Sequence, residues 1–185
     1  MISTTKLTIA IAISAFSAAI MLGTTQTRAA GAHSGGHGEK TSIGEPGKAD
    51  KVTRTIEIKM FDNYYEPEKL SIKEGETIRF VVKNAGEFVH EFAIGTTAMH
   101  ASHQKEMMMM MEHGALEPDR INHNMMKMDM GGGKSMDHND PNSILLEPGK
   151  SGEVVWKFSK TSAIEFACNV PGHYDAGMMG NILFK

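Results

Sequence analysis

The sequence predicts an all-β domain, a sandwich of seven or eight short strands broken by one long, partly helical insertion. Three observations carry that prediction. Apolar and polar residues alternate at period two in one short stretch after another, the pattern of half-buried strands. Clusters of turn-forming residues separate those stretches. The alternation lapses only once, from about residue 96 to 142, in a segment that holds most of the sixteen methionines and five of the nine histidines, His100, His103, His113, His123 and His138.

Taken in order, residues 1–32 read as a signal peptide. Lys6 makes a small positive start, Leu7 to Leu22 is apolar, and Ala29-Ala30-Gly31-Ala32 offers the small residues that cleavage requires, after Ala29 or after Ala32. Residues 33–50 are rich in Gly, Ser, Lys and Glu and read as a flexible arm carrying His33 and His37. The domain is expected over 51–185. Its first strand is Val52 to Met60, with Val52, Ile56, Ile58 and Met60 on one face and Glu57 and Lys59 on the other. Leu70 to Ile72, Thr77 to Lys83 and Phe88 to Ile94 follow, divided by Glu74-Gly75-Glu76 and Asn84-Ala85-Gly86. After the insertion come Ile144 to Leu146, the turn Glu147-Pro148-Gly149, then Gly152 to Phe158, Ala163 to Ala167 and Gly180 to Phe184. Within the insertion, Ala101 to Glu112 lacks Gly and Pro and is expected to be helical. Its far end, with Gly131-Gly132-Gly133, reads as mobile.

Composition narrows the function. The formal charge is −3, and loss of residues 1–32 removes two bases, Lys6 and Arg28, and no acid, leaving −5. A mildly acidic chain has no electrostatic case for nucleic acid. No second long apolar stretch follows the first, so no membrane association is expected after signal cleavage. One cysteine, Cys168, cannot make a disulfide within the chain, and an exported protein that keeps a lone cysteine needs another use for it.

That use is suggested by spacing. Four residues separate Cys168 from His173, and four more separate His173 from Met178. A thiolate, an imidazole and a thioether on one loop form a soft donor set, and two His with one Cys and a weak axial Met are the marks of a type 1 copper site. The fourth ligand must be an upstream histidine. His90 is the best candidate, because Val89-His90-Glu91-Phe92 is a rigid apolar strand context, whereas the histidines of the Met-rich segment lie in sequence read as mobile. Met179 competes with Met178 for the axial role, and the spacing from His173 favours Met178. Pro171-Gly172 supplies a rigid turn just before His173.

These residues resemble the cupredoxin family, and within it the periplasmic copper-tolerance cupredoxins of the CopI type. The resemblance spans roughly Val52 to Lys185 apart from the insertion. It implies a Greek-key order for the strands, a redox-active mononuclear copper (one per chain, cycling between Cu(I) and Cu(II)), an exposed His173 edge and a periplasmic location. It also implies that Phe166 shields the metal from the same side as Cys168. Many relatives carry Asn directly after the first histidine ligand. Here that residue is Glu91, which leaves the hydrogen bonding around the ligands to be settled by structure.

The Met segment suggests accessory Cu(I) binding, since thioethers suit Cu(I). On a helix His103, Met107 and Met111 share a face with Met110 beside them, and Met125, Met126, Met128 and Met130 form a second group. Packing competes with this reading, because Met fills core gaps, although five successive Met cannot all face one core. The leading expectation is a non-enzymatic, exported copper-binding protein of copper tolerance, with copper ions and a redox protein as partners. The alternative is a dedicated periplasmic electron carrier, which has no need of the insertion. A multicopper oxidase is excluded by the lack of any His-x-His pair and by a length of one domain.

Overall fold

Two five-stranded sheets face each other across an aromatic core. The computed structural model describes residues 43–128, 136–159 and 163–185, which all fall within one compact unit, Gly36–Lys185. In chain order the strands are β1 (Gly44–Pro46), β2 (Arg54–Phe61), β3 (Tyr64–Glu66), β4 (Lys69–Ile72), β5 (Thr77–Asn84), β6 (His90–Gly95), β7 (Ser143–Leu146), β8 (Ser151–Phe158), β9 (Glu165–Ala167) and β10 (Met179–Phe184). Helices α1 (Thr97–Glu112) and α2 (His123–Met126) lie between β6 and β7. One sheet runs β1-β8-β5-β2-β3 and the other β4-β10-β9-β6-β7.

The eight expected strands are all present, with ends shifted by one or two residues, and two more join them. One addition corrects the expected arm. Ile43 is fully buried, its carbonyl accepts a bond from the Trp156 indole N–H at 3.2 Å, and β1 pairs with β8. The ordered fold therefore begins by Ile43 and not at 51. The signal peptide, His33 and His37 lie outside the described residues. The other addition, β3, pairs with β2 across the turn Asp62-Asn63, where Asn63 takes the left-handed φ of 74° that Asn tolerates well. The sandwich is also not purely antiparallel: β2 with β5 and β4 with β10 are parallel pairs. Among the described residues no helix is long and apolar enough to cross a membrane.

The inward faces supply Tyr65, Phe80, Phe92, Trp156, Phe158 and Phe166, all essentially solvent-free. Each such side chain contributes about 1.5–3 kcal/mol by burial. Tyr65 meets Phe166 edge-on at 5.0 Å, and Phe92 lies 5.5 Å from Phe166. Phe166 is thus the aromatic contact between the core and the segment carrying Cys168. Its ring lies across its register partner Gly180, where an added Cβ would come within 2.1 Å of Phe166 Cζ.

The helix expected over Ala101 to Glu112 forms and is longer. Thr96 caps it, its hydroxyl accepting from the Met99 N–H at 3.3 Å. Its buried residues are His100, Met107 and Met110, with Met99, His103 and Met111 half-buried near them. That face packs onto the β6 sheet. The reading of the insertion's histidines as lying in mobile sequence is therefore corrected for α1, α2 and the approach to β7. Residues 129–135, with Met130 and the three glycines, lie outside the described residues.

Candidate metal centre

Register sets the site. Strands β6 and β9 are antiparallel neighbours, so the start of β6, at His90, and the end of β9, next to Cys168, share one end of the sheet. Strand β10 pairs back onto β9 with Met179 opposite Ala167, so residues 168–178 form the loop between them. Pro171 and Gly172 occupy the central positions of a turn closed by the His173 N–H on the Val170 carbonyl at 3.0 Å. Gly172 has φ 86°, which a type II turn demands at that position and which Gly meets without steric cost. The turn swings His173 back over Cys168, as its sequence suggested.

Three ligand atoms converge. The Nδ1 atoms of His90 and His173 are 3.2 Å apart, and Cys168 Sγ lies 3.4 Å from His173 Nδ1 and 3.9 Å from His90 Nδ1. His90 and Cys168 are fully buried and His173 is half-buried. Met178 is fully buried as well. Its N–H donates to the His173 carbonyl at 3.0 Å, and its carbonyl accepts from the Cys168 N–H at 3.1 Å. Met179 is committed to the β10 ladder and half-buried. The fold thus brings His90, Cys168 and His173 together, and it puts Met178 rather than Met179 inside the loop that joins two of them.

Electrostatics keep the three ligands neutral. Burial pushes the Cys168 thiol up to about 12, against a hydrogen bond from the Glu91 N–H to Sγ at 3.3 Å. Burial, helped by neighbouring His90, lowers His173 to about 4. Burial also lowers His90, although Asp62 opposes it. A neutral thiol between two neutral imidazoles suits a thiophilic ion, which would displace the thiol proton on binding. The donor set, two nitrogens and one sulfur with a thioether nearby, fits copper.

Sequence reasoning missed two supporting residues. Asp62 Oδ1 accepts from His90 Nε2 at 2.8 Å, which fixes the tautomer that leaves Nδ1 free as a ligand. The same carboxylate accepts from the N–H groups of Glu87, at 3.1 and 3.2 Å, and of Phe88, at 3.4 Å. Burial acts to raise the Asp62 carboxyl, but the His90 bond first, and then these backbone bonds, outweigh it and hold the group below its usual range. Asp62 belongs to a hairpin turn 28 residues before His90, so only the Asp-Asn pair after a predicted strand could have flagged it. The other is Asn169, a polar residue inside the apolar run Phe166 to Val170. Its backbone and side-chain N–H groups donate to Glu91 Oε2 at 3.2 and 2.8 Å. Glu91 thereby ties the two ligand segments together, which settles the question its identity raised.

The accessory methionines divide. Met107, Met110 and Met126 join the core, Met111 and Met125 pack against it half-buried, and Met128 is exposed together with Met108 and Met109. His103 reaches Glu91 and His138 and hydrogen-bonds Glu106. His100 bonds Asn169 Oδ1 at 3.2 Å. His100, His103 and His138 are held in place, contrary to the expectation that the histidines of the insertion lie in mobile sequence.

The cupredoxin-like domain family matches residues 15–100, a span that includes His90 and stops before the ligand loop. The chain is 46% identical over 152 residues to the copper-resistant cuproprotein CopI of Pseudomonas aeruginosa, covering 79% of this chain and 83% of that one. It is 38% identical over 157 residues to the protein of the same name in Rubrivivax gelatinosus, covering 84% and 80%. This chain is a cupredoxin of the CopI type. Among solved structures this cupredoxin overlays auracyanin B with a TM-score of 0.54, at 18% identity, covering 78% of this chain and 99% of that one. It overlays reduced auracyanin from Roseiflexus castenholzii with a TM-score of 0.51, at 22% identity, covering 72% and 98%. Those overlays support the fold, an all-β cupredoxin sandwich.

Proposed function

We propose that this cupredoxin is an exported copper-binding protein of copper tolerance. In this reading His90 Nδ1, His173 Nδ1 and Cys168 Sγ hold one type 1 copper, with Met178 as the weak axial donor. The observation that carries it is the convergence of those three ligand atoms, all within 4.8 Å of one another, from two segments the sandwich brings together. The CopI relatives are named for copper resistance, which supports the tolerance role. The apolar run Leu7 to Leu22 with its small-residue exit supports export to the periplasm.

Bound there, copper supplies a one-electron couple between Cu(I) and Cu(II). The chain's own residues prepare the site for it. Asp62 orients His90, the Glu91 N–H donates to the sulfur, and the Glu91–Asn169 bonds hold the two ligand segments in register. Burial of His90 and Cys168 keeps water from the ligands. Nothing in this reading requires a substrate or a catalysed reaction. Exposed thioethers such as Met108, Met109 and Met128 could gather Cu(I) for delivery, while Met107, Met110 and Met126 serve packing.

One observation favours a second reading, electron transfer to a protein partner: of the three converging ligands, only His173 is partly exposed. The packing of α1 beside the ligand loop favours tolerance, because a simple carrier does not need it. Growth of a deletion strain on copper, set against its respiration at low copper, separates the two. The site itself is tested by Cys168→Ser, which should abolish the intense visible absorption of the copper-loaded protein while far-ultraviolet circular dichroism is unchanged. Full colour in that variant would sink the assignment.

A further inference from the structure

Among the described residues a second set of metal-binding side chains converges, on the other side of Glu91. Glu91 Oε1 lies 2.9 Å from His103 Nε2 and 2.6 Å from His138 Nε2, and the two nitrogens are 3.1 Å apart. None of these atoms belongs to the site described above. We propose that Glu91 Oε1, His103 Nε2 and His138 Nε2 form a second metal site, for a divalent first-row ion and Cu(II) foremost.

The geometry supports an ion at this point. Three ligands at about 2.0–2.1 Å from a tetrahedral ion stand about 3.3 Å from one another. The observed separations are shorter by about 0.2–0.7 Å, so a spreading of the side chains, largest between Glu91 and His138, admits the ion. Two of the remaining atoms of the set are already engaged. Glu91 Oε2 accepts two N–H bonds from Asn169, which leaves Oε1 to act as a single-oxygen ligand. His103 Nδ1 donates to Glu106 Oε2 at 2.9 Å, the carboxylate–histidine pairing that fixes a ligand's tautomer and ring. Glu91 is fully buried, and the side chains of His103 and His138 are 17% and 3% exposed. His138 also lines an open cleft of about 430 Å³ with His123, Asp137 and Asp140, which gives a cation a route in.

The donor chemistry sets the ion class. Two imidazoles and a carboxylate include no sulfur, so the site favours Cu(II) or Zn(II) over Cu(I), and among divalent ions the affinity order peaks at Cu(II). This differs from the expected role of His103 beside Met107 and Met111 in Cu(I) binding. It also separates the two sites by donor chemistry: sulfur-containing at Cys168, sulfur-free at Glu91.

The test uses the full chain and its His138→Ala and His103→Ala variants. Each protein is loaded with Cu(II), dialysed against a weak chelator, and assayed for copper per chain, visible absorption and electron paramagnetic resonance. The expected result is one fewer Cu(II) in each variant, with the visible band retained. The lost signal should have the large parallel hyperfine splitting of a site without thiolate. Retention of the band also shows that the variants fold. If either variant misfolds, His138→Gln and His103→Gln preserve bulk and are scored the same way. Equal copper content in wild type and folded variants, or no Cu(II) signal beyond the coloured site in wild type, would overturn the proposal and leave a hydrogen-bonded clasp. Loss of the type 1 reading looks different, because it appears as colour that survives Cys168→Ser.

Discussion

Removing the Asp62 carboxylate should weaken Cu(II) binding without touching a ligand. Asp62 makes one strong contact with the site, the 2.8 Å bond from His90 Nε2. Loss of a carboxylate that orients a ligating histidine costs roughly 10–100-fold in metal affinity. Asp62 is 34% exposed, so solvent screens part of its charge, and the lower part of that range is expected, about 10–30-fold, for Asp62→Ala. The lost negative charge weakens Cu(II) more than Cu(I). If the whole loss falls on Cu(II), the potential rises by about 60–90 mV, at 59 mV per tenfold for one electron. Asp62→Asn keeps an acceptor for His90 but replaces one oxygen with an amide group that cannot accept from the Glu87 N–H, so an intermediate shift is expected.

A second route to the same loss tests the reasoning independently. A Cβ on Gly86 would stand 2.3 Å from Asp62 Oδ1 and 2.8 Å from His90 Nε2, so Gly86→Ala must part that pair. It should move the affinity and potential in the same direction as Asp62→Ala. Competition with a Cu(II) chelator gives the affinity, and redox titration of the visible band gives the potential. Asp62→Ala within about twofold of wild-type affinity, with an unmoved potential, would show that His90 is not held as a ligand through Asp62.

Three further predictions rest on which methionines are buried and which are exposed. Met178→Leu should raise the potential, through loss of a weak donor to Cu(II), while Met179→Leu should leave it near wild type; redox titration showing the reverse order would move the axial role to Met179. Among the helix methionines, Met107→Ala and Met110→Ala should each cost about 2–5 kcal/mol in denaturant unfolding of the metal-free protein, against under about 1.5 kcal/mol for the Leu versions. Met108→Leu with Met109→Leu should lower anaerobic Cu(I) stoichiometry at unchanged stability, and an unchanged stoichiometry would reduce those exposed thioethers to surface residues.

Legibility in the sequence followed how local each signal was. Cys168, His173 and Met178 could be read because one loop carries all three at fixed spacing. His90 could be read because a histidine inside an apolar alternating strand is unusual. The strands with clear alternation, such as β2, β5 and β8, were visible. The strand β1 was not, because Gly44 and Pro46 break any pattern and its place is fixed by a bond from Trp156, more than a hundred residues away. Alternation also says nothing about direction, so the parallel pairings of β2 with β5 and β4 with β10 were hidden. Of five successive methionines, helical spacing offers Met107, Met110 and Met111 as accessory Cu(I) ligands. The helix divides the run, sending Met107 and Met110 inward and Met108 and Met109 outward, because neighbours on a helix are about 100° apart.

The identity of Glu91 and the presence of the insertion can be understood together. Adjacent residues in extended chain point to opposite faces of a sheet. His90 turns one way, toward Cys168 and His173, so Glu91 must turn the other. On the ligand loop, Cys168 and Asn169 divide in the same manner, and Asn169 meets Glu91 on that second face. In an uninterrupted sandwich this face would look outward, where a carboxylate is solvated at no cost. Here α1 covers it and leaves Glu91 without any exposure. A buried carboxylate costs several kcal/mol unless it is paired and hydrogen-bonded. His103 on α1 and His138 at the far end of the insertion supply the pairing. They hold the Glu91 carboxyl well below the usual carboxylate range despite its burial, and Glu91 in turn raises His103 to about 10. The insertion therefore does more than carry methionines past the copper. It converts the outer face of the two ligand segments into a closed polar interior, and a residue that elsewhere would only tie loops together becomes the shared wall between two sites.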